Sequence, residues 1–139
     1  MNNESKSVIE IKPLQLKNLV SDYYKELYKD NSVSVIIESG RNFVGIYESQ
    51  VLYTILKLKR KLKIKGLEVI IEEKIDDNQI KEILNQALDG NNYEVEKLDF
   101  QTKCKLVGVY EDEEVYFKGL NVCVKPKQKV KQKVKQKNL

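Results

Sequence analysis

Histidine is absent from the 139 residues, which removes the commonest general base and the commonest metal ligand together. An enzyme built on this chain would have to work with Asp, Glu, Lys, Tyr or Cys alone. No nucleophile elbow, phosphate-binding loop or paired-carboxylate motif is present either. The expectation is a non-catalytic protein with no cofactor. Cysteine is scarce: Cys104 and Cys123 stand in no metal-type spacing. Both are expected on adjacent arms of the last hairpin, where a disulfide is conceivable; a cytosolic location favours two reduced, packed thiols instead. Long apolar runs are missing as well, none approaching the ~18 residues that a membrane-spanning helix requires. The polar stretch Met1 to Ser7 lacks the apolar core of a secretory signal. These absences lead to the expectation of a cytoplasmic protein with no membrane partner.

What is present is a repeat. Val44-Gly45-Ile46-Tyr47-Glu48 returns 63 positions later as Val107-Gly108-Val109-Tyr110-Glu111, and the same offset pairs Leu52-Tyr53 with Val115-Tyr116. At an offset of 60, Val20, Tyr23, Tyr24, Leu27 and Tyr28 fall on Ile80, Ile83, Leu84, Ala87 and Leu88, one helical stripe on another. Ile9 and Ile11 fall on Val69 and Ile71 at that offset, an alternating pair of strand type. Two copies of one small unit are expected, over residues 7–65 and 67–124. Units of about 60 residues are marginal alone, so they should share one sheet or one core within a single domain, residues 1–124.

Each unit reads as strand, helix and three strands. Residues 14–29 carry an apolar face of Leu16, Leu19, Val20, Tyr23, Leu27 and Tyr28 against a polar face that includes Lys17, Ser21, Asp22 and Lys25. Pro13 lies where a helix start tolerates it. Ser32 to Glu38 alternates as a strand, Ser39-Gly40-Arg41-Asn42 has turn chemistry, and Phe43 to Tyr47 forms the next strand. Residues 51–65 admit two readings. Val51, Ile55, Leu58 and Leu62 have helical spacing, whereas Leu56, Leu58, Leu62 and Ile64 alternate with lysines in the manner of a strand. The strand is preferred, with Lys65-Gly66 turning into Leu67 to Glu73. Asp76 caps a second helix, with Gln79 completing a capping box and Asp89-Gly90 ending it. Strands at Tyr93–Phe100, Thr102–Tyr110 and Glu114–Val124 follow. The fold class expected is α+β: two helices on a largely antiparallel sheet, with internal pseudo-duplication of a β-α-β-β-β unit.

The chain ends in low complexity. Lysine occupies every odd position from 125 to 137, seven in all, with no acid among them. Taking these from the 25 basic residues leaves 18 against 21 acidic, so the body carries −3 and the tail +7. Such a segment buries too little apolar surface to fold alone, and residues 125–139 are expected to be a disordered tail. A polyanion is its natural partner, nucleic acid most simply, through Lys127, Lys129, Lys131, Lys133, Lys135 and Lys137. Lysine without arginine or aromatics neutralises phosphates and reads no bases. The alternative is a solubilising tail, or one folded back on acidic turns.

A second basic feature is the row Lys57, Lys59, Lys61, Lys63 and Lys65, which a strand would display on one face about 7 Å apart, able to track a phosphate backbone. Its alternative is an edge strand blunted with lysine. Arg60 breaks the apolar phase, marking either a strand leaving the core or a partner for a buried acid. Arg41 in its Gly-Arg-Asn turn either contacts an anion or belongs to an ordinary turn. Tyr47, Tyr53, Tyr110 and Tyr116 either stack bases or pack across strands, and Glu111 to Glu114 is a solvated turn lacking the spacing of a calcium loop. The wealth of Lys, Asn and Ile fits an AT-rich bacterial or phage genome. The function expected is thus a small binding protein of a mobile element that contacts nucleic acid through the tail and the lysine row, the duplicated body giving shape or a dimerisation surface for a homo-oligomer. The alternative is a protein–protein module, an inhibitor, adaptor or self-assembling component, with the tail incidental.

Overall fold

The computed structural model describes residues 7–45, 49–88, 92–107 and 112–127. Eight elements follow one another: β1 (Ser7–Ile11), α1 (Pro13–Tyr28), β2 (Ser34–Val44), β3 (Ser49–Ile64), β4 (Leu67–Ile75), α2 (Asp77–Ala87), β5 (Tyr93–Val107) and β6 (Asp112–Pro126). The class is α+β, as the periodicities predict, and the order β-α-β-β occurs twice. The sheet, however, is two sheets of three antiparallel strands, ordered β1-β6-β5 and β2-β3-β4. The first strand of each half crosses to pair with the last strand of the other: β1 lies on β6 and β4 on β3.

Two strands follow each helix where the turn chemistry suggests three. Ser39 to Asn42 stays in the ladder of β2, with Gly40 opposite Tyr53. A Cβ on Gly40 would lie 2.6 Å from the Tyr53 hydroxyl, so this glycine makes room for a ring lying across the strand. β5 likewise runs unbroken through Gln101, its ladder with β6 shifting in register at Val95/Lys97 and Gln101/Thr102. Residues 51–64 are strand, as their alternation predicts, and Lys65 and Gly66 turn it into β4 with φ of 52° and 83°. Both values are positive, the signature of the type I′ hairpin. Lys125 and Pro126, expected in the tail, close β6 instead, opposite Glu94 and Tyr93. Residues 128–139, Asp89-Gly90, Tyr47, Tyr110 and Glu111 lie outside the described residues.

Both helices start as their sequences direct. Pro13 is the first residue of α1, and the Lys12 amide donates to Gln15 Oε1 at 2.9 Å. In α2, Asp76 Oδ1 accepts from the Gln79 amide at 2.9 Å while Gln79 Oε1 accepts from the Asp76 amide at 3.0 Å, a complete capping box. The buried line of α1 is Leu16, Val20, Ser21 and Tyr24. Leu19 and Leu27, expected on that face, are exposed, and Ser21 turns inward. The apolar stripe is therefore rotated from the one the leucines suggest.

One core holds both halves. Ile11, Leu16, Val20 and Tyr24, Val33 and Val35, and Leu56 and Leu58 from the first half pack with Ile75, Ile80, Ile83, Leu84, Val95, Leu120, Val122 and Val124 from the second. Within it Ile11 faces Leu120 and Ile75 faces Leu56, so Ile75 occupies in its sheet the place of Ile11. The sequence offset of 60 points to Ile71 for that place. α2 has 11 residues against 16 in α1, and this shortening moves the offset along the chain. A line of hydroxyls joins the sheets outside the core: Ser39 bonds Thr54 at 2.7 Å, and Thr54 bonds Thr102. Cys104 and Cys123 are not bonded to each other.

Because the core is common, Leu56→Ala, at a site with no exposure, is expected to cost about 2–5 kcal/mol of the whole domain's stability. Urea transitions followed by far-UV circular dichroism and by tyrosine fluorescence should shift together; separate midpoints would show two independent units. Burial, and then the neighbouring Tyr23 and Tyr28, raise the pKa of Tyr24 above its ordinary 10.0. The folded state thus favours the neutral phenol, so this contribution is intact below pH 10 and is lost as the pH rises through the folded pKa. Tyr24→Phe should flatten the fall of stability above pH 10, measured by urea unfolding across that range.

Candidate polyanion-binding face

Strand parity sorts the lysine row. In β3 the even residues from Leu56 to Leu62 face the core and the odd residues face outward, so Lys57, Lys59, Lys61 and Lys63 share the outer face, as predicted. Lys65 does not join them, because it sits in the turn. β3 is the central strand of its sheet. The edge-blunting alternative therefore fails, since neither side of β3 is open.

The row is partly compensated. Lys57 Nζ lies 2.9 Å from Glu38 Oε1 on β2, and this bond holds its pKa above the ordinary lysine value. Glu72 stands directly across from Lys59 and Glu68 across from Lys63. Neither makes an ion pair within 4.0 Å among the described residues, but both reduce the positive potential of the stripe. Lys61 instead faces Ile70, and Lys57 also faces Lys74. The acids at 68 and 72 carry a readable signal. A two-residue turn at 65–66 fixes the register, and that register alone sets Glu68 and Glu72 against Lys63 and Lys59.

The basic character gathers at one end of β3. A recess of about 490 Å³ opens between the end of α1, the loop after it and β3, lined by Lys25, Lys59 and Lys61 with Asn31, Ser32 and Ser34. None of the three amines makes an ion pair among the described residues. The periodicity of α1 places Lys25 on its polar face and gives no hint of a site. The recess forms because α1 stops at Tyr28, where Lys29 adopts the left-handed conformation at φ 53°. The nearby Asp30 is engaged in the loop. Its carboxylate accepts from the Ser32 amide and hydroxyl, each at 2.9 Å, and the amide bond foremost holds its pKa below the usual range. The single hydroxyl proton of Ser32 is shared with the Lys61 carbonyl at 3.3 Å, the longer arm of a bifurcated bond. Loop, helix end and strand are thereby tied together around the amines. A larger open depression, about 590 Å³, carries Glu82, Asn85, Gln86 and a single lysine, Lys127.

The arginines depart from their expected surroundings. Arg60 points inward with the leucines and finds an aromatic ring instead of an acid, its guanidinium 3.9 Å from the centroid of Tyr28. Its Nε is buried with no hydrogen-bond partner among the described residues. Arg41 lies inside β2 opposite Leu52, and its guanidinium donates to Cys104 Sγ at 3.8 Å, on the other sheet. It does not line the recess. Tyr53 packs over Gly40, and Tyr116 receives Lys105 at 5.3 Å from its centroid. Glu114 pairs with Lys105 at 3.8 Å. Among the described residues no cluster of His, Cys, Asp or Glu could hold a metal, and no described helix is long and apolar enough to cross a membrane. Lys129, Lys131, Lys133, Lys135 and Lys137 lie outside the described residues. Comparison with protein-family models, curated proteins and solved structures finds no match to this chain.

Proposed function

We propose that this chain is a small, non-catalytic, cytoplasmic nucleic-acid-binding protein of a bacterial or phage mobile element, built by internal duplication. It grips phosphates at the Lys25–Lys59–Lys61 recess and along the lysine-rich C-terminal segment. The meeting of three lysines that make no ion pair among the described residues carries the reading, because one helix and one strand bring them to a single concave surface. Ser34 and Asn31 line the same recess, residues whose side chains can donate to phosphate oxygens. The six lysines from position 127 onward supply further charge of the same sign. Contacts of this kind position a phosphate backbone and carry no base specificity. A protein–protein module is the second reading, favoured by the exposed side chains of Phe43, Val51, Leu67 and Ile70.

Fluorescence anisotropy of labelled single- and double-stranded oligonucleotides across a salt series tests the proposal. Each phosphate contact on a duplex contributes about 0.9 to the salt slope, so three contacts account for a roughly 40-fold loss between about 50 and 200 mM salt. The triple variant K25Q/K59Q/K61Q should lower the slope by about 2–3, and a chain ending at Lys127 should lower it separately. No binding at about 50 mM salt, or a triple variant that keeps the full affinity and slope, would contradict the reading.

A further inference from the structure

We propose that two copies of this chain join through the outer edge of β4, pairing antiparallel about a two-fold axis at Ile71 to make one six-stranded sheet. The inference is independent of the polyanion reading. Among the described residues β4 hydrogen-bonds only to β3, so one side of its nine-residue backbone presents an open ladder. Two of its apolar side chains are open, Leu67 at 69 % and Ile70 at 51 % exposure, while Val69 and Ile71 are half-buried and Ile75 lies in the core.

Charge chooses the occupant and the register. A two-fold axis normal to the sheet keeps the helices of both copies on one side and sets each residue opposite its mirror position on the partner strand. With Ile71 on the axis, Glu68 faces Lys74 of the other copy and Lys74 faces Glu68, while Ile70 packs beside Glu72 and Leu67 meets Ile75. Moving the axis to Ile70 sets Glu68 against Glu72 twice. Moving it to Glu72 sets that carboxylate against itself. Only the Ile71 register, among these three, places opposite charges across the seam with no like pair, and like charges directly opposite are destabilising.

Lys74 supplies the second reason. Within its own chain it stands across from Lys57, whose amine is already held by Glu38, and Lys74 makes no ion pair among the described residues. An incoming Glu68 gives it the carboxylate that its own sheet lacks. β4 thus carries an open backbone edge, an apolar strip and a charge sequence complementary to its own reverse.

Sedimentation velocity of the full chain over a concentration series tests this. The intact protein should show a concentration-dependent dimer. Lys74→Glu should raise the dissociation constant at least about tenfold, since two like pairs then face each other across the seam. The same substitution sets a carboxylate opposite Lys57 in its own sheet, so at concentrations low enough that both proteins are monomeric the variant's thermal unfolding should be no worse than that of the parent. The swap E68K/K74E should restore the dimer, because opposite charges again meet across the seam. Slowed amide exchange in β4 at high concentration should accompany association. An intact chain that stays monomeric, a K74E variant that associates unchanged, or a folded swap variant that fails to recover would each overturn the proposal.

Discussion

Everything in this fold depends on an exchange of strands. β3 and β6 are the central strands of their sheets, and each takes one neighbour from its own half and one from the other. Remove β4 and β3 loses a full ladder from Leu56 to Ile64; remove β1 and β6 loses its pairing from Leu120 to Val124. A half alone would keep a two-stranded hairpin and one helix, and an isolated hairpin is marginal in water. The exchange places Ile11 against Leu120 and Ile75 against Leu56, so each half completes the other's core as well as its sheet. One link is made by the Lys65-Gly66 turn. The other brings the two ends of the folded body together, with Ser7 opposite Val124.

The candidate site inherits its geometry from that exchange. Because β4 covers one side of β3, the lysines of β3 stand on a central strand and their backbone positions are set by ladders on both sides. The same covering strand brings Glu68 and Glu72 alongside and weakens two of the four outward lysines. Positive charge is left to collect where β4 offers an isoleucine, at Lys61, and where the end of α1 contributes Lys25. The recess is therefore a product of register as much as of composition. Arg60, the residue that breaks the apolar phase, lies half-buried against the ring of Tyr28 at the end of α1.

Much of the architecture was legible because local chemistry and global fold agree. The Asp76-to-Gln79 box, the Pro13 start, the alternation through Leu56, Leu58 and Leu62, and the positive-φ turn at Lys65-Gly66 each have one cheap local solution, and the fold uses it. What misled is chemistry with two uses. Ser39-Gly40-Arg41-Asn42 has the residues of a turn, but Gly40 serves instead as a seat for Tyr53 across the ladder. The leucines at 19 and 27 drew the helix stripe away from Ser21, because hydrophobicity alone does not reveal which arc meets a sheet. The offset between the halves misassigned Ile71 to the position of Ile75, since the shorter second helix shifts everything before it. The recess was the least visible feature: Lys25 and Lys59 stand 34 positions apart, and only the stop of α1 joins them.

Strand exchange is tested most directly by cutting the chain at its one covalent link between halves. Residues 1–65 and 66–139, produced separately, should each lack a cooperative thermal transition by circular dichroism. Mixed in equal amounts, they should recover the β signal and a single transition, because each supplies the strand and the core residues that the other lacks. A half that folds cooperatively by itself, or a mixture no more structured than the sum of its parts, would contradict the reciprocal pairing on which the account rests.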